Sequence, residues 1–185
     1  MNEGLFMASI TIISGCPGTG KTTLSRALAC AAPAGLHLIT DTFYHFPAHP
    51  LDPTTPESHA QNTTIITAIG RAAGAFVEGG YEVFVDGVVG PWFLPTLLHE
   101  WDAGVDVEYV ILRATLEEEL ARVQQRDGPA TRGRVCAMHK AFAHVAGYTR
   151  HCLETTARSP EAVRAEFLQR RLSGAFLLDT RVVKP

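Results

Sequence analysis

No stretch of 18 or more apolar residues occurs in the chain, so nothing in it reads as a membrane-spanning helix. No C-x-x-C pair occurs either. The four cysteines, Cys16, Cys30, Cys136 and Cys152, are scattered, which excludes redox or zinc motifs built on such pairs and fits reduced thiols in a cytoplasm. Charge of one sign is scarce: 16 basic against 19 acidic side chains leave a net charge of −3. That balance argues against a general nucleic-acid binder and gives no membrane-surface signal. Repeats and low-complexity segments are absent. The first residues, Met1 to Met7, lack the basic region and apolar length of a signal peptide. They read as a loose arm or as residues ahead of a start at Met7, and a cytoplasmic location is expected. What remains is 185 residues, 46% hydrophobic and 19% charged, ordinary for one soluble domain with a substantial core.

One stretch carries a specific chemistry. Gly15, Cys16, Pro17, Gly18, Thr19, Gly20, Lys21 and Thr22 read G-x-x-x-x-G-K-T, a phosphate-binding P-loop. The flanks agree with it. The β-branched run Ile10–Ser14 predicts a buried parallel strand, and Leu24, Ala27 and Leu28 after the loop have helical spacing. Strand, glycine turn and helix aim backbone N–H groups and the positive helix end at one point, which suits a polyphosphate. The loop from Gly15 to Thr22, with Thr23, is therefore the expected nucleotide cradle. Lys21 would reach the β- and γ-phosphates, and the Thr22 hydroxyl would ligate Mg²⁺. The helix N-terminus is expected to lower the Cys16 thiol pKa.

Strands and helices alternate through the rest of the chain. Leu36–Thr40, Tyr81–Val85 and Val105–Leu112 read as further strands, with a weak fifth at His151–Thr155. Helices are expected from Pro56 to the Gly79-Gly80 stop, Pro91 to Trp101, Thr115 to Arg126, Val135 to Ala146 and Pro160 to Leu172. Ile65, Ile66, Ile69, Ala72, Ala73, Phe76 and Val77 mark the apolar face of the first. Thr115 and Glu118 form a capping-box pattern, and Ser159 is an N-cap. The pattern predicts an α/β fold: a three-layer αβα arrangement around a mostly parallel five-stranded sheet, in a single domain. Ligands then belong at the carboxyl ends of the strands, where Gly15, Asp41 and Asp86 all fall.

Asp86 closes Val83-Phe84-Val85 and suits the second Mg²⁺ carboxylate; the plainer alternative is a cap for the next turn. Asp41 precedes a proline-broken aromatic segment with Phe43, Tyr44, His45, Phe46 and His49, the expected acceptor loop, about residues 41–59. Its carboxylate suits the base that orients and deprotonates an acceptor hydroxyl. His45, His49 and His59 lie in a broken loop and read as exposed or substrate-facing side chains, not as metal ligands. Arg122 and Arg126 lie one helical turn apart, followed by Arg132 and Arg134. This stretch, about residues 122–140, reads as a lid over the nucleotide. Lys21, Asp41 and Arg126 are thus the expected catalytic residues, with Arg122 and Arg126 at the nucleotide.

Taken together, the P-loop, Asp41, Val85-Asp86-Gly87 and the Arg122/Arg126 helix resemble the small P-loop kinases, a group with shikimate kinase, gluconate kinase, chloramphenicol phosphotransferase, zeta toxin and polynucleotide kinase. The resemblance runs from about Ile10 to the final helix. It implies ATP and Mg²⁺, an acceptor contact at Asp41, and adenine or phosphate contacts at Arg122 and Arg126. Departures are specific. Thr42, Phe43 and Tyr44 stand where polynucleotide kinases place an arginine. Ile39 breaks the Asp-x-Asp of shikimate kinase, and the serine-rich loop of chloramphenicol phosphotransferase is missing. The aromatic loop, with Trp92 and Phe93, points to a ring-shaped or partly apolar acceptor. The leading expectation is an ATP-dependent small-molecule kinase. The alternatives are a regulatory or switch-type ATPase and a toxin-like nucleotide-sugar kinase.

Overall fold

The computed structural model describes residues 9–102, 104–128 and 131–179. The Met1 to Met7 arm lies outside them, as does part of the polar break after Asp127. Five strands form one sheet: β1 (Ser9–Gly15), β2 (Gly35–Ile39), β3 (Glu82–Asp86), β4 (Asp106–Arg113) and β5 (Cys152–Glu154), in the order β2-β3-β1-β4-β5. Every pairing among them is parallel. The connections are helices: α1 (Lys21–Ala31), α2 (His59–Glu78), α3 (Leu94–Leu98), α4 (Leu116–Asp127), α5 (Arg132–Ala143) and α6 (Pro160–Leu172).

The apolar strands are buried because both faces are covered, as a parallel sheet requires. Helices α1 and α6 cover one face, with Leu24, Leu28 and Phe167 against Ile13, Phe84 and Val110. Helices α2 and α3 cover the other, with Ile66, Ile69 and Leu97 against Ile10, Ile12 and Val85. Strand β1 lies between β3 and β4. The chain steps outward to one side through β2 and β3, then returns to the other with β4. This reversal opens a crevice at the carboxyl end of β1, beside Asp86, whose register partners are Ile13 and Ile39.

Several elements differ in detail from the sequence reading. Thr40–His45 is a 3₁₀ turn, not open loop, and Asp41 stands in its first turn. Pro56–Ser58 is also 3₁₀, so α2 starts at His59. Phe76 leaves the buried face of α2 and meets Tyr81 edge-on, with centroids 6.0 Å apart. At α4, Thr115 Oγ1 accepts from the Glu118 N–H, but the reciprocal half of the box is missing. The Glu118 carboxylate accepts from Arg122 and from the Ala157 N–H, while the Thr115 N–H donates to Thr156. Strand β5 covers only the carboxyl half of β4. Below it the C-terminal segment continues the edge: Tyr109 N–H donates to the Phe176 carbonyl and Leu178 N–H to the Val107 carbonyl, both at 2.9 Å.

Candidate active site

Backbone geometry builds the loop between β1 and α1. Gly15 has φ of +136°, and a Cβ there would stand 2.3 Å from the Leu112 carbonyl oxygen. Gly18, at φ +89°, would meet the Glu119 carbonyl oxygen at 2.6 Å. Only glycine fits either place. Gly20 precedes α1 in the left-handed region, and no side chain caps the helix. The first N–H groups of α1 are therefore left without a side-chain cap, an arrangement that suits an anion.

The loop's side chains divide by role. Cys16 and Thr19 are buried. The Cys16 carbonyl accepts from Thr19 Oγ1 at 2.8 Å and from Lys21 Nζ at 3.0 Å. The Cys16 thiol faces away, donating to the Val135 carbonyl of α5. Burial, then the nearby Glu119 carboxylate, pushes its pKa up. The expected lowering by the helix N-terminus is overturned, because the thiolate would be desolvated beside a carboxylate. Thr22 and Thr23 are exposed at the start of α1.

A cavity of about 710 Å³ opens over this loop. Pro17, Gly18, Gly20, Lys21, Thr22 and Thr23 line its floor; Asp41, Asp86, Arg122 and Arg126 line it from other elements. Burial lowers the Lys21 pKa, and the carboxylates of Asp86 and Asp41 oppose that fall. Residues from three strand ends therefore share one field. Asp86 is buried, and its Oδ2 lies 2.9 Å from His37 Nε2. Among the described residues the Asp41 carboxylate takes no direct hydrogen bond. Burial, then the Asp41 charge, pushes the Tyr44 phenol up, so it remains protonated.

The arginines differ from one another. Arg122 Nη1 donates to the Gly18 carbonyl at 3.1 Å while Nη2 holds Glu118, which braces the loop from α4. Arg126 is turned to its neighbour Asp127, with two bonds of 2.8 and 2.7 Å, and both side chains are exposed. Arg134 lines the cavity; Arg132 is exposed and does not.

On the acceptor side Tyr44, His45, His59, Trp92 and Phe93 line the wall. Phe43, Phe46 and His49 do not; Phe43 packs on Phe46 at 5.3 Å. His37, Asn62, Val88 and Met138 escaped the sequence reading. His37 stands in the middle of apolar β2, Val88 follows β3 and Met138 lies on α5, where such residues ordinarily pack. No group of three or more His, Cys, Asp or Glu able to hold a metal ion occurs among the described residues. No helix among them is long and apolar enough to cross a membrane.

The AAA domain family matches residues 11–140 of the chain. No curated protein matched the sequence. Among solved structures, a sugar kinase from Janibacter sp. HTCC2649 is 16% identical with a TM-score of 0.65, covering 96% of this chain and 98% of that one. A gluconokinase from Sinorhizobium meliloti 1021 is 16% identical with a TM-score of 0.65, covering 91% and 94%. A chain of a Pnkp1/Rnl/Hen1 complex is 18% identical with a TM-score of 0.51; the match covers 66% of this chain and 41% of that one, less than half of the relative's length. These likenesses show the shared fold, that of the small P-loop kinases which the motifs resemble.

Proposed function

The chain belongs to the AAA domain family, and from that premise we propose that it is an ATP-dependent kinase acting on a hydroxyl of a small molecule. The observation that carries this reading is the meeting of Lys21, Asp41 and Asp86 on one cavity above an uncapped helix start. The first N–H groups of α1 and Lys21 would hold the β- and γ-phosphates. Lys21, now resting on the Cys16 carbonyl, would exchange that contact for phosphate oxygens.

Thr22 and Asp86 are the oxygen donors suited to Mg²⁺. Both line the cavity, and Asp86 Oδ1 stays free of the His37 contact. Two protein oxygens suffice, because Mg²⁺ keeps waters and takes phosphate oxygens for the rest. When bound, the ion supplies charge neutralisation at the phosphates.

Asp41 would accept the proton as the acceptor oxygen bonds to the γ-phosphorus and ADP leaves with the electrons of the broken P–O bond. Arg126 bears on the same place, since its charge acts on Lys21 and that of Asp41 acts on it. It would leave Asp127 as the lid closes, adding positive charge and excluding water.

The test is transfer of labelled γ-phosphate to a panel of hydroxylated metabolites and antibiotics. Asp41→Asn should lower transfer by about 10²–10⁴-fold with ATP affinity intact, and Lys21→Ala should lose both. Unchanged transfer by Asp41→Asn removes it as the base. Hydrolysis of ATP with no acceptor in the whole panel would instead favour a switch-type ATPase.

A further inference from the structure

Among the described residues the fixed cations that line the cavity are Lys21, Arg122, Arg126 and Arg134. The first three are committed. Lys21 rests on the Cys16 carbonyl, Arg122 holds Glu118 and the Gly18 carbonyl, and Arg126 holds Asp127. Arg134 differs from them. It is exposed, and among the described residues it makes no hydrogen bond and no ion pair. Its guanidinium donors are open to a ligand. The carboxylates on the cavity divide in the same way. Asp86 is held by His37 and Asp127 by Arg126, which leaves Asp41.

The place of Arg134 is set by its neighbours. It stands in the first turn of α5. Val135, the next residue, is buried with Cys16 and Val123, which seats this turn on the P-loop and α4. From there the Arg134 charge acts on Tyr44 and Asp52, both on the acceptor loop. Burial and then the Asp41 charge raise the Tyr44 pKa, and Arg134 opposes them. Hydrogen bonds from Thr54 lead the lowering of the Asp52 pKa, and Arg134 adds to it. Arg126, by contrast, acts on Lys21 at the phosphate end. Tyr44 lines the cavity in the field of both Asp41 and Arg134. Its O–H makes no hydrogen bond among the described residues. The acceptor side therefore carries the base, an unpaired cation and an unused donor.

On the kinase reading above, we infer that the acceptor is a hydroxylated anion whose carboxylate or phosphate monoester pairs with Arg134. The planar fork of the guanidinium matches two oxygens of either group. Tyr44 offers a further donor beside it. The hydroxyl of the same molecule meets Asp41 and gives up its proton to that carboxylate. Its oxygen bonds to the γ-phosphorus, and ADP leaves with the electrons of the broken P–O bond. Arg134 also offsets the repulsion between an anionic acceptor and the Asp41 carboxylate. It is then the residue that selects charged acceptors over neutral ones.

The experiment measures transfer from labelled ATP to pairs of acceptors that differ in charge: glucuronate and glucuronamide, mandelate and mandelamide, glycerol phosphate and glycerol. The parent, Arg134→Gln and Arg134→Lys are compared, with the KM for ATP as the control. In the parent the charged member of at least one pair should be the better acceptor, by about tenfold or more in kcat/KM. Arg134→Gln should remove that preference and leave the KM for ATP near that of the parent. Arg134→Lys keeps the charge without the fork, so it should retain part of the preference. Preference confined to glycerol phosphate identifies a phosphate monoester; preference for glucuronate or mandelate identifies a carboxylate. Equal transfer within every pair that reacts, or transfer to neutral members alone, would overturn the inference while leaving the kinase reading intact. Equal losses on both members in Arg134→Gln would do the same. So would a raised KM for ATP as the main effect, since Arg134 would then serve the nucleotide. No transfer to any of these compounds, with ATP still hydrolysed, would overturn both.

Discussion

A carboxylate with 3% of its surface exposed needs a partner, and Asp86 finds one in His37. Strands β2 and β3 are parallel neighbours, with His37 opposite Phe84 and Ile39 opposite Asp86. Alternation along each strand then puts His37 and Asp86 on one face of the sheet. The imidazole holds Oδ2 and leaves Oδ1 free of that contact, on a residue that lines the cavity. Outer-shell contacts of this kind orient metal-binding carboxylates. His37→Phe should therefore raise the Mg²⁺ concentration for half-maximal ATP turnover by about 10–100-fold, with turnover at saturating Mg²⁺ near that of the parent. Titration of Mg²⁺ against turnover checks this. An unchanged midpoint would mean that His37 only packs the strand. Asp86 was legible in the sequence because it follows three apolar residues and ends a strand. His37 was not, because it sits between Leu36 and Leu38, and only the pairing of β2 with β3 gives it a partner.

At the scale of elements, the loop between β1 and α1 depends on α4 as much as on its own residues. Gly18 lies against the Glu119 backbone, and Arg122 returns a bond to the Gly18 carbonyl. Gly18→Ala must either displace α4 or distort the loop, and it also places a side chain at φ +89°. Backbone strain alone costs of order 1–3 kcal/mol. The variant should melt several degrees lower, and ATP should raise its melting temperature less than it raises that of the parent. Thermal melts with and without ATP decide it, and an undiminished ATP shift would show that α4 is not part of the cradle. The glycine spacing and the flanking strand and helix were legible because the turn is local in sequence. The brace was not, since Gly18 and Arg122 are separated by three strands. The arginine pair on α4 was also legible from its i, i+4 spacing. Its division of labour was not: Arg122 has Glu118 one turn back to steer it onto the loop, whereas Arg126 has Asp127 next to it. The same limit explains the half-formed capping box, where the Ala157 N–H and Arg122 compete for the Glu118 carboxylate.

For the molecule as a whole, the sheet edge is closed by residues distant in sequence, and His151 joins them. It is 2% exposed. Its Nδ1 lies 2.8 Å from the Tyr109 carbonyl, and Nε2 accepts from Arg150 Nε at 3.1 Å. A nitrogen that accepts carries no proton, so the ring is neutral, with Nδ1–H donating to β4. Arg150 reaches on to the Leu177 carbonyl at 2.8 Å, which ties the C-terminal segment to the same corner. Burial lowers the His151 pKa below its ordinary value of 6.5, and the neighbouring Arg150 adds to the fall. The unfolded chain has no such burial and takes the proton near that ordinary value. Below about pH 6.5 the unfolded state then binds more protons than the folded one, so stability falls as pH falls. Above about pH 7.5 both states are neutral at this residue and the contribution is flat. His151→Gln keeps an amide N–H for the Tyr109 carbonyl but cannot titrate. Its stability should therefore decline less steeply than the parent's between about pH 6.5 and pH 5, by up to ~1.4 kcal/mol per pH unit for a single proton. Urea unfolding midpoints across that range measure the two slopes. Coincident slopes would mean that His151 is charged in the fold, and the corner would then be held by an imidazolium.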